Sequence, residues 1–246
     1  MDIKNAVALV TGANRGLGLA FAQALLERGA RKVYAAARNP RSISLAGVET
    51  LQLDVTNQAE IDAAAAACGD VTLLINNAGI ASVTKFLAED SVDRARAELE
   101  TNYFGPLRLS RAFAPALARN GGGALINVLS IATWLNMGGL STYAASKAAA
   151  WSLTNGLRAE LHAQGTQVLA LHMGYVDTDL ARGVEAPKST PDEIVRQALD
   201  ALEAGQDEVL GDPFTQLVKQ HLSAEPGVYL ASNDASLQAV FASRGA

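Results

Sequence analysis

The chain has 246 residues, of which 49% are apolar and 18% are charged, a composition typical of a globular protein rather than a disordered one. Its 20 basic and 25 acidic side chains give a formal net charge of −5, so the broad basic surface of a nucleic-acid-binding protein is not expected. The one cysteine, Cys68, excludes an internal disulfide and a cysteine-based zinc site. The three histidines lack metal-ligand spacing, so no metal site is predicted.

The sequence predicts neither a targeting segment nor a membrane-spanning one. The first apolar stretch, 6–10, runs directly into Thr11-Gly12 and is too short for the core of a signal peptide. No run approaches the roughly 20 apolar residues that a membrane helix requires. We therefore expect a cytoplasmic protein with no membrane partner.

Short apolar runs alternate along the chain with longer segments of helical periodicity. Strands are predicted at 7–10, 32–36, 50–53, 73–75, 124–129, 167–171 and 208–210. Helices are predicted at 16–28, 58–67, 91–118, 143–164, 191–204 and 214–222. This alternation predicts a single α/β domain over 1–246, with a doubly wound parallel sheet of about seven strands and helices on both faces.

A glycine-rich turn follows the first predicted strand and opens the first helix. It reads Thr11-Gly12-Ala13-Asn14-Arg15-Gly16-Leu17-Gly18. Glycine permits backbone angles that a Cβ opposes, and it lets the N–H groups of a helix start approach a pyrophosphate closely. The G-x-x-x-G-x-G spacing differs from the general dinucleotide fingerprint, and an ordinary tight turn is the alternative. In this position between strand and helix, the pattern favours a phosphate cradle.

The end of the second predicted strand bears on the choice of dinucleotide. An acidic residue there would bind the ribose diol of NAD, and none is present. Arg38 stands in its place, and Arg15 lies inside the glycine turn. Two guanidinium groups can bind a 2′-phosphate through charge-assisted hydrogen bonds, although both could also be solvated surface residues. The sequence therefore favours NADP(H) over NAD(H).

Three polar side chains predict acid–base chemistry at a carbonyl group. Tyr143 and Lys147 are four residues apart in a predicted helix and so share one face. A neighbouring ammonium would lower the pKa of the phenol from its usual value of about 10, which suits a general acid and base. Ser130 follows the fifth strand, at the sheet edge where ligands bind. An exposed pair of no function and a capping serine are the alternatives.

Two asparagine segments lie near the same edge of the predicted sheet. Asn102 falls inside a predicted helix although asparagine is a poor helix former, and such local conflicts are typical of functional sites. Asn76-Asn77-Ala78-Gly79 follows the fourth strand, where an ordinary strand-to-loop turn is the alternative.

These motifs in this order resemble the short-chain dehydrogenase/reductase superfamily, in its single-domain branch. The matching motifs are T-G-x-x-x-G-x-G at 11–18, N-N-A-G at 76–79, the isolated Asn102, Ser130, and Y-x-x-x-K at 143–147. The resemblance covers roughly residues 5–212. It implies a Rossmann-type fold and an NADP(H)-dependent enzyme of the carbonyl reductase or alcohol dehydrogenase type, with a small carbonyl compound or its alcohol as substrate.

The resemblance also implies residue roles. Tyr143 is implied to be the catalytic acid and base, Lys147 to lower its pKa and hold the nicotinamide ribose, and Ser130 to orient the substrate carbonyl. Asn102 is implied to bend its helix and to hold a water in a proton relay. The residues implied to bind the cofactor are Gly12, Asn14, Arg15, Gly16, Leu17, Gly18, Arg38, Asp54, Val55, Asn77, Ala78, Gly79, Tyr143, Lys147, Gly174, Val176 and Thr178, with Asp54 beside the adenine amine.

The sequence departs from the family pattern at two places. The usual Pro-Gly after the sixth strand is Met173-Gly174 here, and the loss of proline's fixed φ predicts a more mobile start for the following loop. The segment from about 175 to 190 is then expected to be the substrate lid. Near the C-terminus, a helical stretch replaces the turn that packs subunits together in many relatives. A homodimer through helices 91–118 and 143–164 and a monomer both remain open, and the tail at 231–246 is expected to be weakly anchored.

Residues between Ser130 and Tyr143 are expected to border the substrate site. They are largely apolar, which favours a neutral, apolar or aromatic carbonyl compound. The alternative is that the tryptophan and leucines are simply core. The substrate candidates are Ser130, Ile131, Thr133, Trp134, Leu135, Met137, Leu140, Tyr143, Met173, Tyr175 and Leu180.

Two other functions fit a dinucleotide-binding fold. A non-catalytic NADP(H)-binding sensor or regulator would be expected to lack the tyrosine or the lysine, and both are present. An epimerase or dehydratase of the longer branch needs a further substrate domain, for which too little chain follows residue 205. The reductase is therefore the preferred interpretation.

Overall fold

The computed structural model of the chain describes residues 1–136, 138–231 and 234–242. The strands are β1 (Val7–Thr11), β2 (Lys32–Ala37), β3 (Glu49–Gln52), β4 (Leu73–Asn76), β5 (Ala124–Val128), β6 (Gln167–His172) and β7 (Glu208–Leu210). They form one sheet in the order β3-β2-β1-β4-β5-β6-β7, with every neighbouring pair parallel. This confirms the predicted Rossmann-type fold. The strand order reverses between β1 and β4, and ligands bind at the carboxyl ends of strands beside such a reversal.

The helices follow the predicted pattern with two differences, an additional helix near the C-terminus and the division of one long helix. They are α1 (Gly16–Glu27), α2 (Gln58–Ala67), α3 (Ser91–Leu99), α4 (Gly105–Arg119), α5 (Ser141–Leu161), α6 (Pro191–Glu203), α7 (Pro213–Gln220) and α8 (Asp234–Ala242). The predicted helix at 91–118 is two helices, α3 and α4, joined by a π-helical turn at Glu100–Phe104. Of the predicted substrate residues, Met137 lies outside the described residues.

Both faces of the sheet are buried, as alternation along β1 shows. Val10 points into a cluster with Phe21 of α1 and Leu199 of α6, whereas Leu9 points into a second cluster with Phe113 of α4. Successive side chains of a strand point to opposite faces, so an apolar run such as this one must be covered on both sides. The helices therefore hold the sheet rigidly, and its edge becomes a fixed platform for side chains.

The C-terminal segment packs on the body of the domain through a third apolar cluster. Leu237 and Val240 of α8 are buried there with Val218 of α7, against Trp134 and Leu135. The expectation of a weakly anchored tail is therefore wrong for the described part of 231–246, since two apolar residues three apart give α8 a buried face. Residues 232–233 and 243–246 lie outside the described part.

Within the described ranges, no helix has both the length and the apolar character needed to cross a membrane. Val92 of α3 and Phe104 of the π turn are exposed apolar side chains on the stretch that the sequence assigns to a homodimer contact. That contact stays a prediction.

Replacement of Phe113 by alanine tests the second cluster. The ring has no exposed surface, so Phe113→Ala should lower the free energy of unfolding by about 3–5 kcal/mol. The matched control is Phe86→Ala, because the Phe86 side chain is 54% exposed and its loss should cost less than about 0.5 kcal/mol. Urea denaturation of the two variants gives the comparison, and equal losses would contradict the assignment of α4 to the core.

Candidate active site

The turn after β1 needs its glycines for steric reasons that the structure makes explicit. Gly12 and Gly16 have φ values of +65° and +53°, in the left-handed region that favours glycine. A Cβ on Gly18 would lie 2.2 Å from the carbonyl oxygen of Gly12. The three residues therefore let the start of α1 approach the end of β1 closely. The resulting cradle of helix N–H groups fits the pyrophosphate of a dinucleotide.

Asn77 supports this turn from β4. Its Nδ2 donates to the carbonyl oxygens of Thr11 (2.8 Å) and Gly12 (3.3 Å), while the backbone N–H groups of Asn77 and Ala78 both donate to the Thr11 hydroxyl at 3.0 Å. The sequence implied that Asn77 lines the cofactor cleft. In the structure, the Asn77 side chain binds the glycine turn itself, because the ends of β1 and β4 are neighbours in the sheet.

The two arginines expected to read a 2′-phosphate differ in their surroundings. Arg15 forms an ion pair of 2.9 Å with Asp179, a residue of the predicted lid that also pairs with Arg182. These two guanidinium groups hold the pKa of the Asp179 carboxyl below its usual range. Arg38 directly follows β2 and is exposed. An exposed ion pair contributes about 0–1 kcal/mol, so exchange of Asp179 for a phosphate on Arg15 would cost little.

The residues implied to contact adenine lie at the end of the loop after β3. The Asp54 carboxylate accepts hydrogen bonds from the Thr56 backbone (2.9 Å) and hydroxyl (2.8 Å), which fixes its orientation. Val55 is buried, and a Cβ on Gly105 would lie 3.0 Å from it. Asn14 and Leu17 are half-buried in the glycine turn on the same side of the sheet.

Tyr143, Lys147 and Ser130 come together at the carboxyl end of β5. Tyr143 lies in the first turn of α5, and Lys147 Nζ is 5.6 Å from the centre of its ring. That ammonium donates to the carbonyl oxygen of Val128 at 2.8 Å. Ser130 begins the 3₁₀ turn at Ile131–Thr133, and its hydroxyl also reaches the Tyr143 side chain. All three side chains are buried, so the site can exclude water around a reacting group.

Burial dominates the protonation of this pair. It raises the pKa of Tyr143 to about 12, while the hydrogen bond with Ser130 opposes the rise and the nearby Glu98 charge adds to it. It also lowers the pKa of Lys147 to about 8. The structure thus contradicts the expectation that Lys147 lowers the pKa of the phenol. The ammonium points to Val128, and the cost of desolvating a charged group outweighs its attraction.

Asn102 lies in the π turn and is almost fully buried. Its Oδ1 accepts from the Ile80 N–H, and its Nδ2 donates to the Ile80 carbonyl and to the Ser146 hydroxyl, each at 2.9 Å. Ser146 in turn donates to the Tyr143 carbonyl at 2.7 Å. The helix is therefore irregular at Asn102, and the π turn places the Asn102 amide within hydrogen-bonding distance of both the loop after β4 and α5.

The loop that follows Gly79 was not predicted to be part of the site. Ser82 of this loop donates its N–H at 2.6 Å to Glu98, a carboxylate that is fully buried one helical turn before Asn102. A cavity of about 710 Å³ is lined by this loop, with Val83 and Leu87 among its walls. No motif in 81–90 marks this surface. The only signal was the position of Glu98, which shares a helix face with Asn102.

The predicted substrate residues divide into two groups. Trp134 and Leu135 are packed in the C-terminal cluster, and Trp134 stacks on His172 with ring centres 4.0 Å apart. These two residues are core, which corrects their assignment as pocket walls. Ile131 and Leu140 are half-buried, Ile131 next to Ser130 and against the C-terminal cluster and Leu140 at the start of α5, and Tyr175 is 44% exposed at the start of the predicted lid.

The loop after β6 is anchored at its start. The Met173 carbonyl accepts from the Ile131 N–H (2.8 Å), and the Gly174 N–H donates to the Asp212 carboxylate (2.6 Å). Met173 itself is buried, so its side chain is packed at this point, and the expected mobility stays a prediction. Further along, Ser189 exchanges backbone hydrogen bonds with Tyr175 and Asp177, which closes the predicted lid into a loop beside Val176.

Comparisons with known proteins agree with this geometry. A model of the short chain dehydrogenase family matches residues 6–189. A Bos taurus protein described as dehydrogenase/reductase SDR family member 7B is 32% identical over 260 residues, which cover 92% of this chain and 80% of that protein. A short chain dehydrogenase from Burkholderia cenocepacia J2315, solved in complex with NADP, is 45% identical, has a TM-score of 0.88 and matches 92% of this chain and 96% of its own.

A short chain dehydrogenase/reductase from Burkholderia phymatum, solved in complex with NAD, is 26% identical with a TM-score of 0.78, over 90% of this chain and 95% of its own. The family model covers most of the sheet and the Ser130, Tyr143 and Lys147 cluster. The chain belongs to the short-chain dehydrogenase family and is an oxidoreductase of that family.

Proposed function

We propose that the chain is an NADP(H)-dependent oxidoreductase that interconverts a ketone or aldehyde with its alcohol. The observation that carries this proposal is the convergence of Tyr143, Lys147 and Ser130 at one sheet edge. The glycine cradle after β1 lies at the same edge. An acid, an orienting hydroxyl and a cation thus stand beside a dinucleotide cradle, as reduction of a carbonyl group requires.

The side chains divide the work at the substrate oxygen. A bound nicotinamide supplies hydride transfer at the carbonyl carbon, and the protein supplies position and electrostatics. Tyr143 binds the substrate oxygen and gives it a proton as negative charge develops there. Its raised pKa keeps the phenol protonated at neutral pH, which suits the reductive direction. The Ser130 hydroxyl donates a second hydrogen bond to the same oxygen and orients the carbonyl.

Lys147 and Asn102 act around the tyrosine. The pKa of about 8 leaves Lys147 largely protonated at neutral pH, so it can donate to the ribose hydroxyls of the cofactor as well as to Val128. Asn102 fixes α5 against the loop after β4 through Ser146 and Ile80. These contacts hold the phenol in one place relative to the cradle.

The surroundings favour an apolar substrate. Among the predicted substrate residues, Ile131 and Leu140 are half-buried next to Ser130 and the start of α5, and Tyr175 and Leu180 are exposed in the predicted lid. Ile131 also packs against the C-terminal cluster. These four side chains carry no charge, so a neutral apolar or aromatic carbonyl compound fits them better than a sugar phosphate.

Two observations support NADP(H) as the preferred cofactor. No acidic side chain follows β2, where Arg38 stands exposed and Arg15 lies in the adjacent glycine turn. The Burkholderia cenocepacia relative was solved with NADP and shares 45% of its residues with this chain. The Burkholderia phymatum protein, at 26% identity, was solved with NAD, so the arginines and not the fold are the basis of the preference.

Removal of the catalytic hydroxyl separates an enzyme from a cofactor-binding sensor. Tyr143→Phe should reduce NADPH oxidation on apolar ketones by about a thousandfold or more, since a positioned acid contributes roughly 10²–10⁴ and the substrate oxygen also loses a hydrogen bond. The Kd for NADPH should stay within about twofold. Tyr229→Phe is the matched control, because its ring is 60% exposed and it removes the same hydroxyl elsewhere. Full activity of Tyr143→Phe would contradict the mechanism.

The two directions should differ in their pH dependence. Alcohol oxidation needs the phenolate as base, and the fraction of phenolate rises with pH toward a pKa of about 12. We therefore expect kcat/KM for oxidation to increase from pH 7 to 10. Reduction uses the protonated phenol and should not increase over that range. Steady-state rates at constant ionic strength give both profiles. Because reduction consumes a proton, the ratio of the two must change with pH in any mechanism, so the test is which direction carries the change. An oxidation kcat/KM that does not rise from pH 7 to 10, with reduction carrying the whole pH dependence, would show that Tyr143 does not hold the transferred proton.

Charge reversal at the end of β2 tests the cofactor preference. The double variant Arg38→Asp, Arg15→Ala should lower the ratio of kcat/KM with NADPH to that with NADH by at least about tenfold, because it removes charge-assisted bonds of about 1.5–3 kcal/mol each. Arg31→Ala is the control, since Arg31 precedes β2 and lies at the opposite edge of the sheet. An unchanged ratio in the double variant would show that neither arginine reads the 2′-phosphate.

A further inference from the structure

We propose that Asp212 is a positioning residue that fixes the loop after β6 in the place of the proline that the family carries there. The inference rests on the proposed function and on the family resemblance, which implies that Gly174, Val176 and Thr178 contact the nicotinamide carboxamide of the cofactor. It assigns a role at the cofactor site to the segment that follows β7, where the chain departs from the family pattern.

The Asp212 carboxylate joins two elements at once. Its Oδ2 accepts from the Gly174 N–H at 2.6 Å and from the Thr215 hydroxyl at 2.7 Å, while its Oδ1 accepts from the Thr215 N–H at 2.9 Å. Oδ1 therefore caps the N-terminus of α7, and Oδ2 reaches across to the loop after β6. Hydrogen bonds to an ionised carboxylate are about twice as strong as neutral ones.

The backbone on either side of Gly174 shows why this contact matters. The His172 carbonyl accepts from the Gly211 N–H, and the Met173 carbonyl accepts from the Ile131 N–H, each at 2.8 Å. The Met173 carbonyl and the Gly174 N–H belong to one planar peptide, which is therefore held at both ends: Ile131 binds its oxygen and the Asp212 carboxylate binds its N–H. The Asp212 contact acts at the glycine end, where the backbone has the greatest freedom to lose.

A proline at 173 would restrict the same peptide by another route. Its ring fixes φ near −65° and so limits the direction in which the next residue leaves the strand. Methionine imposes no such limit, and Met173 is buried as an ordinary apolar residue. The carboxylate thus replaces a covalent restraint by a hydrogen bond. Its position depends on α7, whose Thr215 and Val218 are fully buried.

Substitution of Asp212 by serine removes one of the two links. Serine keeps an oxygen that can cap α7, and it lacks the second oxygen that reaches Gly174. The Kd of NADPH, from its fluorescence on binding, should rise about tenfold in Asp212→Ser. The Kd of adenosine 2′,5′-bisphosphate, from calorimetry, should change less than about twofold, because this fragment has no nicotinamide half. Loss of fold would weaken both ligands together.

Two further variants separate positioning from stability. Thr215→Val removes the hydroxyl that donates to Asp212 and leaves the Gly174 contact, so its Kd for NADPH should stay within about twofold of the parent. Met173→Pro in the Asp212→Ser background should recover at least about threefold of the lost affinity. The Met173 N–H makes no hydrogen bond to another residue in the described part of the chain, so the proline removes none there.

The outcomes distinguish the two proposals. Weakened NADPH binding with unchanged fragment binding, and rescue by Met173→Pro, support the role of Asp212. Equal weakening of both ligands, unchanged NADPH binding or absence of rescue overturns it. If the parent protein binds neither NADPH nor the fragment, the proposed cofactor fails and the inference fails with it. If the parent binds both and Asp212→Ser does not alter the NADPH affinity, only the inference fails.

Discussion

Parallel strands all end at the same edge of the sheet, and the main-chain groups just beyond those ends have no ladder partner. Buried N–H and C=O groups must nevertheless be paired. Here side chains supply the missing partners. Asn77 binds the carbonyl oxygens at the end of β1, and Asn102 binds both the N–H and the C=O of Ile80 after β4. Lys147 binds the last carbonyl of β5, and Asp212 binds the Gly174 N–H after β6. The groups that complete the sheet are thus largely the groups assigned to the cofactor and the substrate.

Because the same side chains pair buried main-chain groups and form the site, burial sets the protonation states of Tyr143 and Lys147. A lysine that must reach a strand carbonyl lies inside the domain, so its ammonium is desolvated and its pKa falls to about 8. The phenol beside it is desolvated too, and its pKa rises to about 12. Burial pushes both groups toward their neutral forms. A phenol that holds its proton at neutral pH is ready to act as an acid, which is the role that carbonyl reduction requires.

The sequence predicted those parts of the fold and site that depend on local pattern. Buried strands are continuous apolar runs, so all seven were found with ends within one residue or two. The glycine turn and the tyrosine–lysine pair are short motifs of fixed spacing, and the structure brings them to one edge. A bend at Asn102 was implied by the family resemblance, whereas only the structure shows that a π turn divides the predicted helix 91–118 in two.

What could not be predicted depends on contacts between distant segments. From the sequence, Trp134 can be either a wall of the substrate pocket or part of the core, and its contacts with α7 and α8 in the structure decide between the two. Glu98 is four residues before Asn102, yet only the fold shows that its carboxylate binds the Ser82 N–H. Asp212 precedes the predicted helix at 214–222 and caps α7, but its bond to Gly174 joins residues 38 positions apart.

The C-terminal segment contacts the site indirectly, through the core residues Trp134 and His172. Lys219 of α7 lies over the Trp134 ring and pairs with Glu208 of β7. On its other side the indole stacks on His172, whose Nδ1–H donates to the Ser130 carbonyl at 3.2 Å; burial lowers the pKa of this imidazole to about 3, so it stays neutral. A chain of contacts thus runs from α7 to the residue proposed to orient the substrate. In the role proposed for Asp212, the segment that differs from the family pattern near the C-terminus also supplies a restraint on the loop where the family proline is absent.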